Sequence, residues 1–217
     1  MRPFVIVNCA MSIDGKIALP SREQTRISNE EDIARVHELR NECDAVLVGI
    51  GTVLADNPKL TVKEKYVANP SNPLRVVLDS KFRTPDDAEV LSNDAPTLIA
   101  TTCREFREGN IEVIKCGEGT VNLDCLMDLL HERGIRKLVV EGGETVIWEF
   151  LRQGLADVFY IFMAPFVIGG TTSPTVAGGR GASSADDVIH MKLVDVKRVG
   201  EGLLMKFIPS LTENIDD

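Results

Sequence analysis

Nothing in these 217 residues approaches the ~20 consecutive apolar positions that a membrane-spanning helix needs. The opening Met1-Arg2-Pro3-Phe4-Val5-Ile6-Val7 is too short for a signal peptide and reads as a first strand. The cytoplasm is therefore the expected location, with no membrane partner. Positive charge is scarce: 24 Lys and Arg stand against 33 Asp and Glu, a formal −9. That balance argues against nucleic acid as a partner, since a phosphate backbone needs a basic surface. It leaves room for a local basic pocket holding one phosphorylated small molecule. There are three histidines, and the five cysteines (Cys9, Cys43, Cys103, Cys116, Cys125) include no C-x-x-C pair. No metal site is expected, and the thiols read as reduced and structural.

There is no internal repeat and no low-complexity block. With 44% hydrophobic and 26% charged residues, the chain reads as one globular domain over 1–217. Strand-like runs alternate with helical ones, which points to an α/β class with a mostly parallel central sheet. Segments 76–78, 97–100, 112–114 and 137–140 read as short buried parallel strands. Ser28, with Glu31 three residues on, has capping-box spacing and starts a first helix whose inward face is Ile33, Val36 and Leu39. Asn122 caps a second helix, with Leu123, Leu126, Met127 and Leu130 inward and Gly134 as its stop. A third helix covers about 145–153. The run 158–164 is apolar on both alternations, so both its faces should be covered. Segment 169–184, rich in glycine, serine and threonine, reads as a mobile loop. Residues 191–208 read as a closing antiparallel hairpin with Gly200-Glu201-Gly202 as its turn. The acidic tail 212–217 reads as frayed.

Six apolar runs end at or near small residues: at Gly49-Ile50-Gly51-Thr52, Asp79-Ser80, Thr101-Thr102, Gly117-Glu118-Gly119, Glu141-Gly142-Gly143 and Gly169-Gly170. In an open α/β sheet, ligands bind beyond the carboxyl ends of the strands, so these turns suit a long anionic ligand. The dinucleotide fingerprint G-x-G-x-x-G fails at Leu54, which disfavours a standard Rossmann domain. What survives is that glycines let backbone N–H groups approach phosphate at a helix start. Glu141 stands at the rim of that crevice and is suited to accept hydrogen bonds from a polar ligand. Ser80, Lys81 and Arg83 could hold a phosphate monoester, or form a solvated turn. Asp14-Gly15 reads as a turn, and 52–58 as a loop with Asp56 as a cap. His37 is placed on the polar side of the first helix, His131 near the end of the second, and His190 before the closing strands. None is expected to have a chemical role.

Taken together, Met11-Ser12-Ile13-Asp14-Gly15-Lys16-Ile17-Ala18, Arg26-Ile27-Ser28, the stretch from Val48-Gly49-Ile50-Gly51-Thr52 through Val53-Leu54-Ala55-Asp56-Asn57-Pro58-Lys59-Leu60-Thr61-Val62, Val77-Leu78-Asp79-Ser80 and Val140-Glu141-Gly142-Gly143 resemble one family. It comprises the riboflavin-biosynthesis reductases acting on 2,5-diamino-6-ribosylamino-4(3H)-pyrimidinone 5′-phosphate. The match is ordered and covers nearly the whole chain, and T-V-L-x-D-[DN]-P-x-L-T-V is its most specific part.

The resemblance implies a dihydrofolate-reductase-like fold, a homodimer and NADPH as cofactor. It implies that Met11, Arg26, Thr52, Asp56, Ser80, Gly142, Gly143, Glu144 and Thr145 contact the dinucleotide. Gln24, Arg40, Leu60, Lys63 and Glu141 would line the substrate side, with Arg40 and Lys63 as partners of the 5′-phosphate. Hydride would pass to C1′, turning ribosylamino into ribitylamino, with Glu141 organising proton transfer and the Gly142–Gly143 peptide cis. Bacterial fusion relatives carry lysine where Asn8 stands, so no cationic role transfers there. They also carry a zinc deaminase domain with H-x-E and P-C-x-x-C motifs, neither of which is present, so the chain resembles the stand-alone archaeal and fungal type. The alternatives are a dihydrofolate-type pterin reductase and a non-catalytic NADP-binding module.

Overall fold

The computed structural model describes residues 1–22 and 25–210; Gln24 and the tail 212–217 lie outside them. Ten strands form one sheet: β1 (Phe4–Ser12), β2 (Ala45–Gly49), β3 (Leu74–Leu78), β4 (Thr97–Thr101), β5 (Phe106–Glu108), β6 (Ile111–Lys115), β7 (Lys137–Val140), β8 (Val158–Ala164), β9 (Met191–Val199) and β10 (Gly202–Pro209). Their order is β5-β6-β4-β3-β2-β7-β1-β8-β10-β9. Every pair from β6 through β8 is parallel, whereas β5 and the β9–β10 hairpin run antiparallel at the edges. Four helices, α1 (Glu30–Glu42), α2 (Ile50–Asp56), α3 (Leu123–Glu132) and α4 (Glu144–Arg152), cover the parallel part.

The central strands β2 and β4 are buried along their whole length, as strands sandwiched between two helical layers must be. On one face Val5, Val7, Leu47 and Leu138 pack with Leu126, Leu130, Ile147 and Phe150 of α3 and α4. On the other, Val46, Val48, Val77 and Val139 pack with Val53 of α2 and Leu39 of α1. Each fully buried side chain of this size contributes about 1.5–3 kcal/mol. Among the described residues, no helix is long and apolar enough to cross a membrane.

Several local expectations shift. The first helix is capped by Asn29, one residue beyond Ser28, because the Asn29 side chain is the one that accepts the Asp32 N–H (2.8 Å). Ser28 Oγ instead donates to the Asp32 carboxylate (2.6 Å). Segment 52–58 is a loop only at its end: Ile50–Asp56 is helical and Asn57 terminates it in the left-handed region at φ 41°. The third helix begins at Glu144 and is stopped by Gly154 at φ 65°. The short edge strand β5 is an addition that no apolar run announced, since all three of its residues are exposed. Segment 169–184 is irregular, as read, but it is tied to the sheet and to α4 by the contacts described below.

Arg75 points out of β3 with its residue fully buried. It donates to the carbonyls of Ser92 and Ala95 and to Ser92 Oγ (3.1 Å). A longer bond to the Lys59 carbonyl (3.4 Å) fastens the segment after α2 to the sheet. A buried guanidinium is costly unless its donors are taken up; here its two terminal nitrogens reach two segments at once, while Nε has no partner among the described residues.

Candidate active site

The parallel strands end on one rim, and two glycines bring the second and seventh of them together. Gly49 N–H donates to the Gly142 carbonyl (2.8 Å), joining the ends of β2 and β7. A Cβ on Gly49 would lie 2.7 Å from Val146 of α4, so the close approach of that helix requires glycine there. The Gly142–Gly143 peptide is cis, as expected. α2 and α4 therefore start side by side, N-capped by Gly49 and Gly143 respectively, and neither has a side-chain cap. Their first-turn N–H groups lack intrahelical acceptors. Two such ends converging make a cradle for a diphosphate, which both the donors and the helix dipoles favour.

A groove of about 1490 Å³ runs from this cradle along the rim. Thr52, Asp56, Ser80, Gly143, Glu144 and Thr145 all line it, as does Arg83. A smaller recess of about 290 Å³ opens beside it, walled by Cys9, Arg26, Ser28, Glu141, Gly142 and Ile147. Thr52, Asp56 and Gly143 line both, so they mark the junction. Burial raises the Asp56 carboxyl above the ordinary aspartate range, and it has no ion-pair partner among the described residues.

Other expected site residues stand differently. Met11 sits on β1 beside Met163 of β8 and lines neither cavity. Leu60 is 2% exposed inside the core at φ 54°, which leaves its backbone rather than its side chain to a ligand. Lys81 does not line the groove, whereas Ser80 does, with its hydroxyl accepting the Val121 N–H (3.1 Å). Asp79 is structural: its buried carboxylate accepts the Arg83 and Thr84 N–H groups (2.5 and 2.7 Å) and closes the turn after β3.

Arg40 and Glu141 face each other in a two-pronged ion pair, Nε to Oε1 at 2.7 Å and Nη2 to Oε2 at 2.6 Å. Both side chains are largely buried, and the carboxylate raises the Arg40 pKa against the opposing cost of burial. Arg40 Nη1 also donates to the Thr61 carbonyl (3.2 Å). The two residues expected to hold the substrate separately therefore hold each other: Glu141 lines the recess, whereas Arg40, like Lys63, lines neither cavity.

Loops close the mouth of the groove. The Asp14 carboxylate accepts from Ser12 Oγ (2.6 Å) and from the Ile168 and Gly169 N–H groups (3.0 and 2.7 Å). Those bonds lower its pKa to about 2, the serine contributing most. At the start of α4, the Glu144 carboxylate takes Arg22 (3.1 Å) and the Thr175 N–H (3.1 Å). Its carbonyl accepts the Gly178 N–H (3.1 Å). Glu144 thus presents its backbone to the cradle and its side chain to the segments above.

His37 corrects an expectation. It is 5% exposed rather than on the polar side of α1. It lies one turn beyond Ile33 on the inner face, where its ring Nδ1 accepts the Lys63 N–H (3.3 Å). Burial, reinforced by the nearby charges of Arg40 and Lys63, lowers its pKa to about 4, with Glu141 and the Thr61 backbone opposing. Sequence reading missed its position because histidine tolerates both faces of a helix. The one available signal was its i,i+3 spacing to Arg40.

The chain matches the family of RibD C-terminal domains over residues 3–205. It is 42% identical over 214 residues to the 2,5-diamino-6-ribosylamino-4(3H)-pyrimidinone 5′-phosphate reductase of Methanothermobacter thermautotrophicus, an alignment covering 95% of this chain and 98% of that one. Among solved structures it resembles the diaminohydroxyphosphoribosylaminopyrimidine deaminase/5-amino-6-(5-phosphoribosylamino)uracil reductase of Thermotoga maritima, with TM-score 0.83 and 32% identity. That likeness covers 96% of this chain and 57% of the larger protein. Dihydrofolate reductase from Enterococcus faecalis shares the fold at TM-score 0.54 and 12% identity, over 95% of this chain and 96% of that one.

The neutral buried imidazole of His37 has a consequence for stability. Its ordinary pKa of 6.5 applies in the unfolded chain and about 4 in the folded one, so between these values the unfolded state binds more protons. The stability it contributes is complete above about pH 6.5 and is lost as pH falls through about 4. Urea midpoints measured across that window should fall more steeply for the wild type than for His37→Asn. Parallel profiles would show that another group is responsible.

Proposed function

Because the chain belongs to the RibD C-terminal domain family, we propose that it reduces 2,5-diamino-6-ribosylamino-4(3H)-pyrimidinone 5′-phosphate with NADPH, converting the ribosylamino group to ribitylamino in riboflavin biosynthesis. It is an oxidoreductase of dihydrofolate-reductase-like fold that takes a nicotinamide cofactor. The observation that carries the reading is the pair of uncapped helix starts at Gly49 and Gly143, opening onto a recess walled by Glu141.

When bound, the nicotinamide supplies the hydride that reduces C1′ of the opened sugar. The protein's part is to hold the two reactants in register, an effect that can supply several kcal/mol of barrier lowering. The first-turn N–H groups of α2 and α4 suit the diphosphate. Ser80 and Arg83 on the groove wall suit a 2′-phosphate, which favours NADPH over NADH. The substrate occupies the recess, with Glu141 on its wall and Arg40 holding that carboxylate in place. Because Arg40 is committed to Glu141 and Thr61, the substrate phosphate falls mainly to Lys63. Both Glu141 oxygens are taken by Arg40, so proton delivery to the opening sugar moves to Asp56, the half-buried carboxyl at the junction. Its raised pKa suits a general acid.

The edge of the sheet supports a homodimer. Ile161 and Met163 of β8 continue through Met205 and Leu203 of β10 to Val196 and Leu193 of β9 on one face. No helix lies over this band: Leu193 is 52% and Val196 47% exposed. The run 158–164 thus has one of its two faces only half covered, and a second copy packed on this band completes it.

Three outcomes are expected. NADPH absorbance at 340 nm, as generally monitored, falls with the phosphorylated pyrimidine but not with dihydrofolate. Turnover of dihydrofolate would support a pterin reductase, and binding without turnover a non-catalytic module. Asp56→Asn lowers kcat by about 10²-fold while NADPH affinity holds, and wild-type activity declines as pH rises past the Asp56 pKa. A variant retaining full turnover would remove Asp56 from proton delivery. Light scattering gives twice the chain mass for the wild type and the chain mass for Leu193→Lys/Val196→Lys; a monomeric wild type would refute the band as an interface.

A further inference from the structure

The segment after α2 is fastened to one face of α1 at three successive points. Arg40 holds the Thr61 carbonyl (3.2 Å), His37 accepts the Lys63 N–H (3.3 Å), and Glu30 accepts the Tyr66 hydroxyl (2.9 Å). Tyr66 also stacks on His37, with centroids 4.7 Å apart and planes 13° from parallel. The Lys63 carbonyl accepts the Tyr66 and Val67 N–H groups (3.0 and 3.2 Å), closing a turn that starts at Lys63. His37 is the middle fastener. It is the only one of the three whose contact is with the backbone of the lysine itself.

The cations nearby are spoken for. Arg26 and Lys65 are both paired with Glu30, Lys59 with Glu89 and Asp94, and Arg40 with Glu141. Lys63 is exposed, and among the described residues its ammonium has no ion pair. A flexible four-carbon stem discriminates poorly unless its backbone is fixed, because ordering it costs entropy. The imidazole provides that fixing, and as a neutral ring it does so without competing for an anion.

We propose that His37 is a positioning residue for recognition of the substrate's phosphate: it fixes the backbone of Lys63 so that this unpaired ammonium meets the anion. The inference rests on the phosphorylated substrate proposed above. His37 touches neither the substrate nor the cofactor in this account; it acts through Lys63. Removing its acceptor leaves the Lys63 N–H without a partner, and the turn must shift or admit water.

The test compares kcat/KM for the phosphorylated pyrimidine with kcat/KM for the same compound lacking its 5′-phosphate, and the ratio is the readout. His37→Leu should lower that ratio by about tenfold, the size expected for misplacing a charged hydrogen bond. His37→Asn, whose side-chain oxygen can take the place of Nδ1, should restore it to within about threefold of wild type. Lys63→Ala should lower it at least as much, and the double variant His37→Leu/Lys63→Ala no further than Lys63→Ala. A purely structural His37 would depress both substrates alike and leave the ratio unmoved, which would overturn the proposal. So would a His37→Asn ratio no better than that of His37→Leu. If the ratio is unmoved in Lys63→Ala, the assignment of the phosphate to Lys63 fails, and this inference fails with it.

Discussion

The bond from the Gly49 N–H to the Gly142 carbonyl is the constraint on which the rest of the site depends. It ties the end of β2 to the end of β7, strands that are neighbours in the sheet but separated in sequence by β3 to β6 and α3. Each is followed at once by a helix, so the bond also fixes the distance between two helix starts. Neither start spends its first-turn donors on a side-chain cap. A serine or aspartate at either capping position would stabilise its helix by about 1 kcal/mol and would occupy the donors meant for a ligand. Glycine forgoes that gain and leaves the cradle open, and at position 49 it also admits Val146. Local capping stability is given up at both helix starts, which leaves their first-turn N–H groups without a side-chain acceptor.

From that cradle outward, several charged side chains are each committed to one task. Asp14 and Glu144 carry loop backbone, and Arg40 pairs with Glu141 behind the wall of the recess. Asp79 and Arg75 support turns behind the rim. Asp56 at the junction and the exposed Lys63 have no ion pair among the described residues.

Much of this architecture was legible in the sequence because it follows from periodicity and from glycine. Buried parallel strands announce themselves as continuous apolar runs, as in Val46-Leu47-Val48 and Leu138-Val139-Val140. Asn122 with Gly134, and the Gly200-Glu201 turn, carry their own conformational reasons. What stayed hidden was decided by tertiary contacts. Ile50–Asp56 is a seven-residue helix, too short for a periodic signal and marginal without the sheet beneath it. Asn29 displaced Ser28 as cap because both residues can serve and only the entry angle of the chain selects between them. β5 has no buried face to leave a pattern. The Arg40–Glu141 pair spans residues a hundred positions apart, and nothing in either neighbourhood specifies the other.

The same reasoning explains why His37 escaped notice although it is buried. A helix is read for its apolar face, and Ile33, Val36 and Leu39 satisfied that reading. Yet the fully buried positions of α1 are Asp32 and His37, both polar and both answered by specific partners: Ser28 and Arg35 for one, the Lys63 backbone for the other. Polar groups are costly to bury, so two at the heart of a helix interface point to a surface selected for something besides adhesion. Through them α1 holds Ser28, which lines the recess, and the backbone of Lys63, which does not. The helix that closes one face of the core thereby also anchors a residue of the recess wall.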